Sequence, residues 1–331
     1  MLAAVVTGGA ASASVSSEAG AKVNLSGVTL NVGDEEGIYE GPLEASGELN
    51  GLPFKISWST FVGGPTVTAA LVGGSIDVGE MSDPPPIFAQ AANDANKIVG
   101  AQEPENPATE SSFAIVVKPS SPIHSVTQLK GKSVSLLNGT ILQYIAIRAL
   151  QKVGLPYTAI TPVNVSPPSG ATAAFENGSV DALVTSLAGA DGLVQSGEGR
   201  ILVTGAGLSR SLNYVVASEA ALQNPQKAAA IGILIQRLAK AQVWVNAHPA
   251  TYAATYAKFN SIPASVALAV VKKVPLVYVP ISKPIKTAQQ SEANIFHQEG
   301  IIPTKLNTNS EYDTRFNALV TAATGTKGPT N

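Results

Sequence analysis

Short apolar runs alternate with segments of helical periodicity along most of the chain. The apolar runs are bounded by glycine, proline and polar residues, which is the pattern of buried strands. Between most of them apolar residues recur at helical spacing, as at Val67, Ala70 and Leu71. This alternation predicts an α/β fold with doubly wound, mainly parallel sheets. The predicted strands are 28–32, 54–58, 75–79, 98–101, 113–117, 132–137, 160–165, 180–184, 201–203 and 214–217.

The pattern restarts after Lys118, which predicts a second lobe. A chain of 331 residues also usually forms two compact units. We expect the chain to cross between the lobes near 111–118 and 208–217, and two such crossings would form a hinge. The predicted division is a leader or signal remnant at 1–27, one lobe from 28–112 and 213–320, a second lobe from 113–212, and a flexible tail at 321–331.

Three predicted helices begin in loops that suit an anion. Each loop combines glycine or proline with a polar residue that can cap a helix. Unpaired N–H groups and the positive end of the helix dipole favour negative charge at such places. Each loop alone is common in α/β proteins, but together they predict a ligand crevice beyond the strand ends. The loops are Gly64-Pro65-Thr66, Ser82-Asp83-Pro84 and Asn138-Gly139-Thr140.

Composition excludes several classes of function. The net charge is −2 and only 13% of residues are charged, so we expect no nucleic-acid partner and no binding to an anionic membrane surface. Cysteine is absent, which removes disulfides, thiolate metal sites, a cysteine nucleophile and the cysteine of a lipid anchor. We therefore expect a soluble protein if the chain is exported, with no metal and no cofactor.

The first residues resemble part of a secretory signal. Residues 1–13 are apolar and small, and Ala11-Ser12-Ala13 is a possible cleavage site. The usual basic region is missing, so a disordered leader or an expression remnant is the alternative. No later segment is predicted to span a bilayer, because the apolar segment 228–238 is short and contains Gln236 and Arg237; we expect it to be a buried helix.

Conventional catalytic motifs are missing from the sequence. The histidines His124, His248 and His297 are far apart, and no Gly-x-Ser-x-Gly elbow occurs. The segment 205–210 lacks the third glycine of a dinucleotide fingerprint. The sequence therefore gives no support to a conventional hydrolase or dehydrogenase.

Several longer motifs resemble those of one protein family. They are Trp58-Ser-Thr-Phe-Val-Gly-Gly-Pro65, Ala70-Leu-Val-Gly-Gly-Ser-Ile-Asp-Val-Gly79, Asp83-Pro-Pro-Pro-Ile-Phe-Ala-Gln-Ala-Ala92, Leu129-Lys-Gly-Lys-Ser-Val134 and Ala174-Phe-Glu-Asn-Gly-Ser-Val-Asp-Ala182. From about Thr29 to Leu306 the chain resembles the periplasmic solute-binding proteins of ATP-binding-cassette importers for aliphatic sulfonates, with relatives for taurine and nitrate. The resemblance implies the two-lobe periplasmic-binding-protein fold of type II.

The resemblance also implies a function, partners and a site. It implies a monomeric periplasmic or secreted protein, active in sulfur metabolism, that captures a small anion between its lobes and delivers it to a membrane permease. The three loops above would hold the sulfonate, with polar residues after the first strand and a polar-aromatic pair before the returning strand. The ligand-binding residues expected in this way are Asp34, Glu35, Phe61, Gly64, Pro65, Thr66, Ser82, Asp83, Pro84, Glu103, Asn138, Gly139, Thr140, Ser186, Asn213 and Tyr214.

The chain departs from the family pattern in two places. Where the family commonly has Trp-Asp-Pro, this chain has Ser186, Leu187 and Ala188, so we expect a larger pocket. The acidic run from Asp34 to Glu36 would repel a sulfonate but could bind an amino or hydroxyl group of the ligand. A solvated loop is the alternative for this run, and Asp83 is expected to cap a helix rather than to touch the ligand.

Two other classes of function share this fold. Sulfinate desulfinases and thiamine-pyrimidine synthases resemble these binding proteins, but they depend on cysteine or histidine in the cleft. This chain has neither residue type in the three anion loops, so we expect binding rather than catalysis. A ligand sensor that docks on a receptor is the third possible class. Pull-down of a membrane permease would indicate an importer component, and pull-down of a signalling protein would indicate a sensor.

Overall fold

The computed structural model describes residues 23–35 and 37–325, which form two α/β lobes. Residues 1–22 of the predicted leader, Glu36 and residues 326–331 lie outside the described residues. The strands are β1 (Thr29–Glu35), β2 (Lys55–Phe61), β3 (Val78–Ser82), β4 (Asn96–Pro104), β5 (Phe113–Val117), β6 (Ser133–Leu136), β7 (Thr161–Asn164), β8 (Ala182–Ser186), β9 (Arg200–Thr204), β10 (Asn213–Ser218) and β11 (Leu276–Val279).

The α-helices lie between most of the strands and dominate the C-terminal third of the chain. Short 3₁₀ helices also occur at Val126–Leu129, Tyr157–Ala159 and Thr308–Glu311. The α-helices are α1 (Glu40–Ser46), α2 (Gly64–Val72), α3 (Pro84–Ala91), α4 (Ile141–Lys152), α5 (Pro168–Glu176), α6 (Leu187–Gln195), α7 (Glu219–Gln223), α8 (Pro225–Ala247), α9 (Pro249–Asn260), α10 (Ala264–Lys273), α11 (Lys283–Gln298) and α12 (Asn317–Thr324).

The two sheets share one arrangement of five strands, to which the first sheet adds β11 at one edge. The first has the strand order β11-β4-β10-β3-β1-β2 and the second β7-β6-β8-β5-β9. In the first sheet β1 pairs in parallel with β2 and β3, and β10 lies antiparallel between β3 and β4. In the second sheet β6 pairs in parallel with β7 and β8, and β5 lies antiparallel between β8 and β9. Both sheets are therefore mixed, although most of their strands point in one direction.

The antiparallel strands β5 and β10 are those that follow the crossings between the lobes. The first crossing lies between β4 and β5, at 105–112, and the second lies between β9 and β10, at 205–212. The hydroxyls of Ser111 and Ser211 lie 3.2 Å apart and join these crossings. Glu103 at the end of β4 is also joined to Arg210 of the second crossing through two hydrogen bonds of 2.8 Å.

The C-terminal helices pack on both lobes. Phe296 of α11 contacts Phe88 of the first lobe and Tyr144 of the second, with ring centroids 5.1 and 5.7 Å apart. Val266 and Val270 of α10 form a small cluster with Ala188 of α6 in the second lobe. The lobes are thus held together by packed side chains as well as by the two crossings.

Helix α8 is long and apolar enough to cross a membrane by length and composition, with a mean hydropathy of 1.2 over its most apolar part. In this fold 56% of that part is buried. Leu234, Ile235 and Leu238 belong to the core of the first lobe. The segment 228–238 is therefore a buried helix, as its sequence predicts.

Several element boundaries differ from the prediction. Strand β3 begins at Val78 rather than at residue 75, and the side chain of Asp77 just before it accepts the N–H of Asn31 at 2.9 Å. Helix α6 and strand β11 were not predicted. Helix α12 continues to Thr324, so the first residues assigned to the flexible tail at 321–331 are helical.

Candidate ligand-binding site

The loops that follow β2 and β6 meet across the gap between the lobes. A Cβ atom on Gly63 would lie 2.9 Å from Leu137 Cδ2 of the opposite lobe. A Cβ atom on Gly139 would lie 3.8 Å from Pro65 Cγ and 3.9 Å from the Phe88 ring. Two of the three predicted anion loops therefore face each other at close range.

The loop at the start of α2 offers one free backbone donor in the first helical turn. Pro65 has no N–H, and the N–H of Thr66 donates to Gly63 O at 3.0 Å. The Thr66 hydroxyl also donates to Gly63 O, at 2.7 Å, so its proton is used within the loop. The N–H of Gly64 makes no hydrogen bond to the described chain, and it is the donor that remains.

The loop at the start of α4 offers two free backbone donors. The Thr140 hydroxyl caps the helix, because it accepts the N–H of Leu142 at 3.3 Å and donates to Leu137 O at 2.7 Å. The N–H groups of Asn138 and Gly139 donate to side-chain amide oxygens. Within the described residues the N–H groups of Thr140 and Ile141 are left without an acceptor.

The loop at the start of α3 does not have the donors that we expected. Residues Pro84, Pro85 and Pro86 occupy its first turn, and proline has no N–H. Asp83 stands at the cap position but makes no capping hydrogen bond, so its predicted role as a helix cap is wrong. Its side chain turns inward and is only 1% exposed. This loop can attract an anion through the helix dipole but not through N–H groups of its first turn.

Asp34 caps helix α1 and is not part of a solvated loop. It is 3% exposed, and it accepts the N–H groups of Tyr39 at 2.9 Å and Glu40 at 3.0 Å. Burial nevertheless raises the pKa of Asp34 to about 6. A carboxylate of the protein thus occupies the N-terminus of α1, where a ligand anion could otherwise bind. Glu35 beside it is half-buried.

Glu103 belongs to the hinge. It is 8% exposed and binds Arg210 through both carboxylate oxygens, at 2.8 Å each. Burial raises the pKa of Glu103, and the neighbouring Arg210 opposes this effect. Its carboxylate is therefore already paired within the protein.

The remaining predicted site residues are spread over core, strand ends and surface. Tyr214 is fully buried and donates its hydroxyl to Gln289 at 3.2 Å, so its side chain lies in the core of the first lobe. Phe61, Ser82 and Asn213 are half-buried at the ends of β2, β3 and β10.

The positions of the missing Trp-Asp-Pro motif do not open a wider pocket. Ser186 is exposed and caps α6 by accepting the N–H of Gly189 at 3.1 Å. Leu187 and Ala188 are buried, and Ala188 packs against Val266 and Val270 of α10. The small side chain at 188 therefore admits α10, which corrects the expectation of an enlarged pocket here.

Sequence reasoning did not identify a polar cluster beside the hinge. Glu292 of α11 and Tyr144 of α4 line a cavity of about 330 Å³ together with Asp83. Burial raises the pKa of Asp83 to about 7 and that of Glu292 well above its ordinary value. The sequence contained one sign of this cluster, the single glutamate Glu292 among the apolar positions of α11. It did not show that Glu292 meets Asp83, because the two residues are distant along the chain.

Comparison with known proteins identifies the family to which this chain belongs. The family model described as NMT1/THI5 like matches residues 106–251. An aliphatic sulfonates-binding protein of Escherichia coli (strain K12) is 31% identical over 253 residues, which are 76% of this chain and 77% of that protein. The chain belongs to the aliphatic sulfonate-binding protein family.

Solved structures of this family have the same fold. The periplasmic aliphatic sulphonate binding protein SsuA from Escherichia coli superposes with a TM-score of 0.75 at 28% identity, over 86% of this chain and 92% of that one. The alkanesulfonate-binding protein SsuA from Xanthomonas axonopodis pv. citri, bound to MOPS, superposes with a TM-score of 0.78 at 27% identity, over 87% and 99% of the chains. The predicted periplasmic-binding fold of type II is thus confirmed. These relatives are binding proteins, and the expectation of binding rather than catalysis is confirmed with it.

Proposed function

We propose that this protein captures a small sulfonate between its lobes and delivers it to the membrane permease of an ATP-binding-cassette importer. The observation that carries the proposal is the set of free backbone donors at the meeting loops. Gly64 N–H comes from the first lobe, and Thr140 N–H and Ile141 N–H come from the second. An anion that bridges these groups binds the closed arrangement better than the open one, so it favours closure.

The chemistry of the donors favours a sulfonate. None of the three loops contains lysine or arginine, so the anion meets neutral N–H groups and helix dipoles. An anion whose charge is spread over several oxygens loses less hydration in such a site than a compact one. Three sulfonate oxygens can also accept hydrogen bonds from two sides at once, which suits donors that come from two lobes.

The family also supports a proposal about where the protein acts. Solved relatives are periplasmic proteins, and we infer that this chain is exported and works outside the cytoplasm as a soluble monomer. The partner that follows from this role is a permease of an importer.

A variant that removes a single N–H tests the proposed site. Ile141 is the first residue of α4, where proline is compatible with the helix, and Thr140 before it has the extended backbone that proline requires. Ile141→Pro removes the donor and the isoleucine side chain, whereas the matched Ile141→Ala removes only the side chain. We expect titration calorimetry with propanesulfonate to show binding about tenfold weaker for Ile141→Pro than for Ile141→Ala.

A thermal-shift screen tests the function itself. Alkanesulfonates should raise the melting temperature of the unmodified protein more than propanoate or nitrate at equal concentration, because a ligand of the folded state stabilises it. A screen in which no sulfonate shifts the melting temperature would contradict the proposal.

A further inference from the structure

The cavity beside the hinge contains two buried carboxyl groups in contact. It lies between the second crossing, at 207–210, and helix α11. Asp83 and Glu292 line it with exposed fractions of 1% and 2%, and their carboxyl groups are within hydrogen-bonding reach of each other. No described N–H or O–H group donates to Asp83 Oδ1 or to Glu292 Oε1. Such a pair requires either a shared proton or a cation between its members.

A third acceptor comes from the opposite lobe. Tyr144 of α4 lines the same cavity and is 5% exposed. Its ring packs on Phe296, but its hydroxyl forms no hydrogen bond with the residues that the structure describes. Asp83 belongs to the first lobe, Tyr144 to the second and Glu292 to the bridging helix α11. Three polar groups thus converge from three elements: two carboxyl groups and a tyrosine hydroxyl that can accept as well as donate. The Ser209 hydroxyl beside them donates to Asp83 Oδ2 at 3.4 Å.

The rest of the cavity offers space for an alkyl group, and the two arginines near it make hydrogen bonds within the protein. Arg210 lines the cavity, but both oxygens of Glu103 neutralise it. Arg148 lies near Glu292 and donates to Leu208 O and to Gln151 Oε1. Glu311, the third carboxyl group near Glu292, accepts the amide of Gln289. The other lining residues are Pro107, Ala108, Gly207, Leu208 and Ala288, which have no polar side chain, and Ser209 and Ser291, which carry hydroxyls.

We propose that this cavity binds a primary ammonium group carried by the ligand, so that the preferred solutes are aminosulfonates. A primary ammonium has three N–H donors, which match Asp83 Oδ1, Glu292 Oε1 and the Tyr144 hydroxyl. The inference rests on the proposed function, and it names the class of solute for that same cleft.

The position of the cavity suits a short ligand. Asp83 immediately precedes the first turn of α3, and Tyr144 lies one helical turn beyond Thr140, about 5–6 Å along the axis. An ammonium in the cavity and a sulfonate at Thr140 N–H would therefore be joined by a chain of a few carbon atoms. The acidic recognition that we expected from the run at Asp34 to Glu36 moves in this way to Asp83 and Glu292.

Binding of the ammonium has a consequence for protons. Without a cation the two carboxyl groups share one proton, because two buried charges in contact repel each other. An ammonium between them takes the place of that proton, which leaves to solvent. An aminosulfonate should therefore release about one proton on binding near neutral pH and should bind more tightly as the pH rises. A plain alkanesulfonate leaves the pair undisturbed and should do neither.

The test compares 3-aminopropanesulfonate with propanesulfonate by titration calorimetry at pH 7 and pH 8. Two buffers with different ionisation enthalpies give the number of protons released. In the unmodified protein we expect the amino ligand to bind about tenfold more tightly at pH 8. In Glu292→Gln the ratio should fall below about twofold, and the proton release should disappear. Glu176→Gln, which removes an exposed carboxylate from α5, should keep both the ratio and the proton release.

The possible negative results distinguish a failure of the ammonium site from a failure of the proposed function. Equal affinities for the two ligands in the unmodified protein, or a preference that survives in Glu292→Gln, would overturn the ammonium site and leave sulfonate binding intact. If neither sulfonate binds, the proposed function fails, and methylammonium alone then tests the cavity. Methylammonium should raise the melting temperature of the unmodified protein and of Glu176→Gln but not that of Glu292→Gln, and an equal shift in all three would overturn the inference.

Discussion

Gly63 and Leu137 touch across the two lobes, so closely that a Cβ atom on Gly63 would stand 2.9 Å from Leu137 Cδ2. The contact lies beside the free N–H groups of Gly64 and Thr140, and it joins the two lobes. The glycine therefore has two functions, because its φ of +79° also disfavours any other residue.

Gly63→Ala should weaken ligand binding by obstructing closure. We expect a modest loss of affinity for propanesulfonate, since the new methyl group must displace Leu137 Cδ2, the end of a flexible side chain on the opposite lobe. Gly74→Ala is the matched control, because Gly74 also has a positive φ, +71°, but its Cβ would meet nothing within 4 Å. Calorimetry on both variants separates the clash from backbone strain, and equal affinities for the two variants would contradict the role of the contact.

Thr140→Ala should lower stability more than it lowers affinity. The hydroxyl proton is donated to Leu137 O, so the side chain serves the loop and the helix cap rather than the anion. We expect a loss of about 1 kcal/mol in the free energy of unfolding, measured with urea. Thr140→Ser retains the hydroxyl and should lose much less. An affinity loss in Thr140→Ala that exceeds this stability loss would show that the hydroxyl donates to the ligand.

Breaking the hinge ion pair should be costly. Arg210→Met leaves the buried carboxylate of Glu103 without its partner, and we expect a loss of about 3 kcal/mol in the free energy of unfolding. The double change Glu103→Gln with Arg210→Met should recover most of this loss, because no charge is then left buried. Lys132→Met breaks a half-exposed pair with Asp181 and should cost less than about 1 kcal/mol. Equal losses for Arg210→Met and Lys132→Met would contradict a structural role of the hinge pair.

Stability should fall as pH rises from 5 to 8. Burial raises the pKa of Asp34 to about 6, that of Asp83 to about 7 and that of Glu311 to about 8. In the unfolded chain these groups ionise near pH 4, so over this range the folded state holds more protons, and the free energy of unfolding decreases with pH. Urea unfolding at pH 5 and pH 8 measures the change.

Glu311→Gln isolates one of these groups. The amide oxygen of the new side chain can still accept the hydrogen bond from Gln289, but the side chain cannot ionise. The variant should match the unmodified protein at pH 5 and be more stable at pH 8, with Glu176→Gln as an exposed control. A Glu311→Gln protein whose stability falls with pH as steeply as before would show that Glu311 does not contribute.

Local signals predicted the elements that begin at a cap or a proline. Helix α3 begins at Pro84 and α4 at Ile141, and strand β5 occupies 113–117, each as its own sequence indicates. Helix α6 was missed because Gly189 and Gly192 weaken its helical pattern, although Ser186 does cap it. Strand β11 has only four residues and follows α10 after Val274 and Pro275, and pairing with β4 determines its conformation.

The sequence predicted where the site lies better than it predicted which groups are free to bind the anion. The loops of α2 and α4 were expected to meet, but which N–H groups remain free depends on local contacts such as that between Gly139 N–H and Gln143. Asp34 was expected to bind the ligand, with a solvated loop as the alternative, because nothing in the sequence shows that α1 folds back onto it. Asp83 and Glu292 meet only through the packing of α11, which no local pattern reports.

A crystal structure of the complex with propanesulfonate would show whether the ligand bridges the lobes. We expect sulfonate oxygens within hydrogen-bonding distance of Gly64 N in the first lobe and of Thr140 N or Ile141 N in the second. A sulfonate confined to one lobe, or bound away from these three N–H groups, would contradict the proposed site.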